Sequence, residues 1–217
     1  HPDHAFGMAQ LKRANAVVMM HPAAKAWLLG EGPAVLGFME VPMGQGWLAG
    51  IEITKPNRLI RKPMSFDLGG RTVQAIPLVG GHTAGDVIVF DDKTRTLFAG
   101  DLVFHQRAPT VPHADVPVWL DHLRTLRGMD WQRLVPGHGP LVTDPAAFGP
   151  MEDYLEFLDA RAREAVQGGE MLAETLAEPL PDQFRHLHSV DDEYSRSMRD
   201  LFRKHETNVL DAAVTVN

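Results

Sequence analysis

The sequence HPDH at residues 1–4 places two histidines and an aspartate within four positions. Three later stretches carry the same kinds of side chain: GGHTAGD at residues 80–86, FAGDLVF at 98–104 and VPGHGP at 135–140. Glycines flank three of the four stretches, as expected where the backbone turns sharply and aims a polar side chain out of a sheet edge. One such histidine is weak evidence for a ligand, whereas four stretches in this order indicate a specific site.

Composition limits the chemistry of that site. The chain has 217 residues, 44% of them hydrophobic and 23% charged, which is enough for one core with a helical appendage. It contains eleven histidines and no cysteine. A disulfide framework and a thiolate zinc site are therefore excluded, and any metal must be held by nitrogen and oxygen atoms. The lack of cysteine is compatible with both the periplasm and the cytoplasm of a bacterium.

The charge distribution argues against several classes of partner. The formal net charge is −7, and residues 151–217 hold 15 of the 28 acidic residues but only 7 of the 21 basic ones. Neither part of the chain has the dense basic stripe of a phosphate-backbone binder, so nucleic acid is excluded as the expected partner. No apolar run approaches the roughly 18 residues that a membrane span needs. We therefore expect a small-molecule substrate, with no nucleic acid and no membrane.

Short apolar runs and turn residues predict a strand-rich first part. Hairpin turns are predicted at residues 67–71 and 91–93, where aspartate, glycine and lysine cluster. Strands are predicted at residues 15–21, 72–79, 86–90, 96–99 and 133–139.

Helical periodicity predicts helices between these strands and a chain that is dominated by helices from residue 144 onward. Helices are predicted at residues 22–40, with an interruption near Gly30 and Gly32, and at 115–128, 144–169 and 191–213. The last helix places Tyr194, Met198, Leu201, Phe202 and Val209 on one side. We expect the helices to cover one face of a sheet, with a metal-binding domain at residues 1–148 and a helical extension at 149–217 packed on that same domain.

The four stretches resemble the metallo-β-lactamase superfamily of metallohydrolases. Its signature is a His-x-His-x-Asp-His loop followed by a separate histidine, a bridging aspartate and a final histidine. Residues 1–4 match the second half of that loop. The resemblance covers about residues 1–148 and implies an α/β fold of the αββα sandwich type. The residues that match the signature are His1, Asp3, His4, His82, Asp101 and His138.

The first histidine of the signature loop would lie two positions before His1. The resemblance therefore leads us to expect a chain that is truncated and lacks the N-terminal strands of the sandwich. A sheet edge left open in this way can pair with another chain, so a homo-oligomer is a further expectation.

The resemblance also implies a ligand set and a reaction. It divides the matched residues into two sets that share Asp101: His1 and His82 for one metal, and Asp3, His4 and His138 for the other. Two zinc ions are the expected cofactors, with iron or manganese as alternatives, since imidazole and carboxylate suit all three. The implied reaction is hydrolysis of an ester, thioester or amide-like bond by a hydroxide that bridges the metals, with catalytic roles for Asp3 and Asp101.

The run at residues 98–115, followed by LVPGHGP at 134–140, further resembles the quinoprotein relay system zinc metallohydrolases, in the wider group that includes glyoxalase II. Two other functions remain open. The same scaffold could serve an iron-dependent oxygenase or oxidoreductase, or the chain could be an inactive metal-binding fragment.

Residues outside the signature are also candidates for the site. Asp86 follows His82 by four positions and either orients an imidazole through its second nitrogen or accepts hydrogen bonds in a turn. His105, Arg107 and His113 follow Asp101, near the expected mouth of the site. They are candidates to bind an anionic group of the substrate, or are simply solvent-exposed loop residues.

Overall fold

The computed structural model describes residues 1–44 and 46–215. The strands in this part of the chain are β1 (Met19–Met20), β2 (Arg58–Leu59), β3 (Met64–Asp67), β4 (Thr72–Leu78), β5 (Asp86–Asp91), β6 (Thr96–Phe104) and β7 (Arg133–His138). The helices are α1 (Pro2–Ala5), α2 (Met8–Arg13), α3 (Pro22–Gly30), α4 (Gly32–Met43), α5 (Val116–Arg127), α6 (Gly149–Gly168), α7 (Leu172–Ala177) and α8 (Val190–Thr215), with 3₁₀ turns at Pro145–Phe148 and Asp182–Phe184.

The main sheet has the strand order β3-β4-β5-β6-β7. Neighbouring strands from β3 to β6 are antiparallel, whereas β6 and β7 are parallel. Parallel neighbours need a long crossover, and α5 supplies it. The short strands β1 and β2 pair in parallel apart from this sheet. Strand β6 therefore lies between β5, which begins at the end of the stretch at residues 80–86, and β7, which contains most of the stretch at residues 135–140.

The two predicted hairpins are confirmed, and each turn is held by an aspartate. Asp67 Oδ1 accepts hydrogen bonds from the backbone N–H groups of Gly69 and Gly70, which both adopt positive φ. Asp91 Oδ1 accepts one from the N–H of Lys93. This is the usual way in which aspartate stabilises a turn. Turn chemistry in the sequence thus determines the register of β3 with β4 and of β5 with β6.

The predicted crossover helix is also confirmed. Asp115 caps α5 by accepting a hydrogen bond from the N–H of Val118. Trp119, Leu123 and Leu126 are fully buried on one side of the helix, and Gly128 follows its last turn. The Trp119 indole donates a hydrogen bond to the backbone carbonyl of Leu102, so the helix is tied directly to β6.

Three local predictions are wrong. The strand predicted at residues 15–21 shrinks to Met19–Met20, because Asn15 adopts positive φ and the partner strand β2 is itself only two residues long. The HPDH stretch enters a helical turn at Pro2 rather than remaining a loop. The strand predicted to end at residue 99 continues to Phe104, because β7 pairs along its other edge. Asp101 therefore lies within a strand.

One buried cluster joins the main sheet to three helices. Fully buried members are Leu97 and Leu102 on β6, Trp119 in α5, Leu155 in α6 and Met198 in α8. A second, smaller cluster around Phe6, Met8 and Leu28 packs the N-terminal helices together and so positions residues 1–4. None of the helices in the described part of the chain is long and apolar enough to cross a lipid bilayer.

The predicted face of α8 is buried only over its first half. Leu201 is 2% exposed and Phe202 7%, but Val209 is 51% exposed, so its placement on the buried side is wrong. Helical spacing alone cannot show where the covering elements end.

We predict that Leu201→Ala lowers the free energy of unfolding by about 2–5 kcal/mol, because it leaves a cavity in the core. Val209→Ala on the same helix serves as the control and changes it by less than about 0.5 kcal/mol. Urea denaturation followed by circular dichroism measures both. Equal losses in the two variants would contradict the core described above.

Candidate metal centre

Six of the predicted residues converge from four separate segments. His1, Asp3 and His4 come from the start of the chain and α1, and His82 from the loop between β4 and β5. Asp101 lies in β6, and His138 is the last residue of β7, within the strand predicted at residues 133–139. Their donor atoms form two groups, each within 4.8 Å: Asp3, His4, Asp101 and His138, and His1, His82 and Asp101.

The Asp101 carboxylate belongs to both groups and turns one oxygen to each. Its Oδ1 lies 3.0 Å from His4 Nε2 and 3.4 Å from His138 Nε2. Its Oδ2 lies 3.4 Å from His82 Nε2 and 3.9 Å from His1 Nδ1. The two oxygens of Asp101 thus face two different sets of imidazoles, and each set together with Asp101 could hold a metal ion.

The group around Oδ1 also contains Asp3. The Oδ2 atom of Asp3 lies 3.2 Å from His4 Nε2 and 3.1 Å from His138 Nε2, and the two imidazole nitrogens are 3.5 Å apart. Four donor atoms thus surround one point. The Asp3 side chain is 51% exposed, so this group opens to solvent.

The group around Oδ2 is more deeply buried. His82 is 1% exposed, and its Nε2 lies 2.8 Å from His1 Nδ1. The other ring nitrogen of His82, Nδ1, is buried without a hydrogen-bond partner. This group offers three donors, one fewer than the other group.

The charge of the site favours a cation. Burial alone would raise the pKa of the Asp101 carboxyl, but the imidazoles of His4 and His82 hold it well below its usual range. The contacts with Asp101 and Asp3 raise the pKa of His4 to about 10. Burial lowers the pKa of His82, which keeps this ring in the neutral form that coordinates metals.

These observations meet the requirements of a metal site. Asp101 Oδ1 is buried without a satisfactory hydrogen bond although two imidazole nitrogens lie close by. A buried carboxylate oxygen is costly unless positive charge lies beside it, and either a proton on a neighbouring imidazole or a metal ion can supply that charge. Imidazole nitrogen and carboxylate oxygen are common ligands of zinc.

The backbone around Asp101 is shaped to admit its carboxylate. The register of β6 with β7 shifts on both sides of Gly100, which adopts positive φ, and such irregularities re-aim side chains. On β7, a Cβ added to Gly137 would lie 2.0 Å from Asp101 Oδ1 and 2.8 Å from its backbone nitrogen. Glycine at residue 137 is thus required for the close approach of β7 to Asp101.

Aromatic side chains surround the imidazoles. Phe104 stacks on His138 with 4.9 Å between ring centroids, and Trp119 meets His82 edge to face at the same separation. Trp27 lies 5.8 Å from His1. None of these three residues is predicted at the site from the sequence. For Phe104 and Trp119 no local signal distinguishes such a role from ordinary core packing.

Of the three candidates predicted at the mouth of the site, two lie there and one does not. Arg107 and His113 line a groove that opens onto the metal-binding groups, and His113 Nδ1 lies 2.8 Å from His1 Nε2. The ring of His105 instead contacts the backbone carbonyl of Pro140, and the residue does not line the groove, so its placement at the mouth is wrong.

Asp86 does not contact the His82 ring. Its carboxylate accepts hydrogen bonds from the backbone N–H and the hydroxyl of Thr83, as a turn acceptor does. Burial raises the pKa of Asp86 to about 6, although the Thr83 hydrogen bonds oppose this shift. The proposed role of Asp86 in orienting an imidazole is therefore wrong, and it acts on the loop after His82.

Comparison with known protein families and solved structures identifies the family of this chain. A family model of the metallo-beta-lactamase superfamily matches residues 1–138. No curated protein sequence matches the chain significantly. A solved metallo-beta-lactamase from Pontibacter korlensis is 22% identical, with 72% of this chain and 65% of that chain covered and a TM-score of 0.52.

Two further solved structures cover more of the chain. The stereoselective inverting sec-alkylsulfatase Pisa1 from Pseudomonas sp. is 19% identical, with 94% of this chain and 40% of that chain covered and a TM-score of 0.64. A metallo-beta-lactamase family protein from Thermus thermophilus is 15% identical, with 94% of this chain and 72% of that chain covered and a TM-score of 0.64. The chain thus spans less than two-thirds of the Pontibacter and Pseudomonas proteins.

We predict that Gly137→Ala weakens zinc binding by at least roughly tenfold, because the new methyl group displaces Asp101, on which both groups depend. Gly149→Ala is the control, since nothing lies within 4 Å of a Cβ added there. Competition with a chromophoric chelator measures both affinities. Equal zinc affinity in the two variants would show that the contact between Gly137 and Asp101 does not matter.

Proposed function

Because the chain belongs to the metallo-β-lactamase superfamily, we propose that it is a metal-dependent hydrolase acting on an ester, thioester or amide-like bond of a small molecule. Its mixed α/β fold matches that of superfamily members, as expected from the sequence. The observation that supports the proposal most directly is the position of Asp101, whose two oxygens face two sets of donor atoms.

The residues that would hold metal are the two groups described above. His4, His138 and Asp3 would bind one zinc ion, His1 and His82 the other, with Asp101 between the two. Zinc would supply a Lewis acid and a coordinated water of lowered pKa. Iron and manganese accept the same nitrogen and oxygen donors, so the choice of zinc is part of the proposal.

The protein's own side chains prepare the site for hydrolysis. Asp3 is the most accessible carboxylate, and its contact with His4 lowers its pKa, so it stays ionised near neutral pH. Its other oxygen, Oδ1, can then accept a hydrogen bond from a water molecule in the groove and orient it. On the opposite side, Phe104 and Trp119 pack against His138 and His82 and exclude water from behind the imidazoles. Asp3 and Asp101 are therefore the proposed catalytic carboxylates.

The type of bond is to be decided by assay. Solved structures with this fold include a metallo-beta-lactamase and an alkylsulfatase. A suitable panel contains a carboxylic ester, a thioester, a β-lactam and a sulfate ester. Membership of the quinoprotein relay branch stays a prediction. The same holds for the division of the chain into a metal-binding domain at residues 1–148 and a helical extension at 149–217.

We predict that His82→Ala and His138→Ala each lower metal-dependent turnover by more than about 100-fold. Loss of an outer partner of a ligand typically costs about 10–100-fold, and loss of the ligand itself costs more. His186→Ala is the control, because that ring is exposed and its Nδ1 hydrogen bonds to the backbone carbonyl of Gln183, away from the two groups. Turnover is measured with saturating zinc, and bound metal by elemental analysis.

Retention of parental turnover in either variant would contradict the ligand assignment. A chain that takes up iron rather than zinc when both are supplied, and that consumes oxygen, would contradict the hydrolase proposal.

A further inference from the structure

A groove of about 530 Å³ leads to both metal-binding groups. Its floor contains His1 from one group, Asp3 and His138 from the other, and the shared Asp101. This volume lies within the range of roughly 300–1,000 Å³ that is usual for small-molecule sites. A molecule that reaches the metal-binding residues from solvent can therefore lie along this groove.

Helices α3 and α4 give the groove an apolar side. Trp27, Val35, Phe38 and Met39 contribute to it. Phe38 lines the groove and is nevertheless 75% exposed, so much of its ring faces solvent. Exposed aromatic surface at the edge of a site is typical of contact with an apolar part of a ligand.

The loop after β6 and the start of α8 line another side of the groove with two arginines and one carboxylate, namely Arg107, Arg196 and Glu193. Arg196 has a nearby acidic partner, since its Nη1 lies 3.9 Å from Glu193 Oε2. Arg107 differs. Its Nε is buried without a hydrogen-bond partner, and among the described residues no carboxylate forms an ion pair with it. An anion beside Arg107 in the groove would supply the ion-pair partner that the described residues do not.

Backbone pairing holds Arg107 in place. The N–H of Ala108 donates to the carbonyl of His188, and the N–H of His188 donates to the carbonyl of Gln106, each at 3.0 Å. The residues on both sides of Arg107 are thus tied to the segment before α8. The backbone that carries Arg107 is therefore already ordered before an anion binds, and the planar donors of a guanidinium suit sulfonate, sulfate, phosphate or carboxylate.

We propose that the groove selects small amphipathic anions, with the anionic group on Arg107 and the apolar part against Trp27 and Phe38. This inference rests on the proposed function, because it names the substrate class of the same site. The volume of the groove suits a single medium-sized molecule, so a small molecule is sufficient to contact both sides.

Octane-1-sulfonate is a suitable probe, because it is amphipathic, anionic and has no hydrolysable bond. Its binding to the full chain is measured by isothermal calorimetry after removal of metal with EDTA, with folding checked by circular dichroism. We expect one molecule bound per chain, more tightly than 1-octanol and more tightly than butane-1-sulfonate. Each methylene that becomes buried strengthens binding about fourfold.

Variants separate the two sides of the groove. Arg107→Gln is expected to weaken octane-1-sulfonate about tenfold while leaving 1-octanol unchanged, and Arg107→Lys to keep most of the affinity. Phe38→Ser is expected to weaken both probes. The matched controls are Arg199→Gln on α8 and Val41→Ser on α4, which are exposed outside the groove and should change neither.

Three results would overturn the inference: equal affinity for octane-1-sulfonate and 1-octanol, no difference between Arg107→Gln and Arg199→Gln, or tight binding to phosphatidylglycerol vesicles without binding of soluble octane-1-sulfonate. The test needs neither metal nor turnover. Selective binding without hydrolysis of any panel compound would refute the proposed function alone, whereas hydrolysis without selective binding would refute this inference alone.

Discussion

The carboxylate of Asp101 is the group on which the arrangement of the site depends. It is held in β6 between two sets of imidazoles, and each of its oxygens faces one set. A carboxylate this close to buried imidazoles is stable only with compensating positive charge. In the chain itself a proton on His4 supplies that charge, as the raised pKa of this residue indicates. A divalent cation would satisfy the same requirement with better geometry.

Several features of the fold serve to place that carboxylate. The parallel pairing of β6 with β7 brings His138 alongside, and the shifted register around Gly100 turns Asp101 toward it. Gly137 lacks the side chain that would collide with Asp101. The small N-terminal cluster around Phe6 and Leu28 holds residues 1–4 over the sheet edge. The site therefore depends on contacts between segments that are far apart in the sequence. Gly100 and Gly137 lie where two of these segments, β6 and β7, meet at Asp101.

The sequence was sufficient to predict the features that depend on local chemistry. The turns at Asp67 and Asp91 and the cap at Asp115 could be predicted because each aspartate hydrogen bonds to backbone within a few residues. The six residues that converge on the site could be predicted from their order and family resemblance. The extension of β6 to Phe104, the exposure of Val209 and the position of His105 depend on distant partners, so local patterns missed them. Likewise, nothing near Trp27 in the sequence indicates that it lies beside His1.

X-ray absorption spectroscopy of the zinc-loaded chain, combined with elemental analysis, tests the bridging position of Asp101 most directly. If Asp101 joins two metal sites, the chain binds two zinc ions with nitrogen and oxygen ligands, and the spectrum contains a zinc–zinc distance of about 3.5–4 Å. Asp101→Asn should remove that distance. A single zinc ion per chain, or two ions with no such distance between them, would contradict the central role of Asp101.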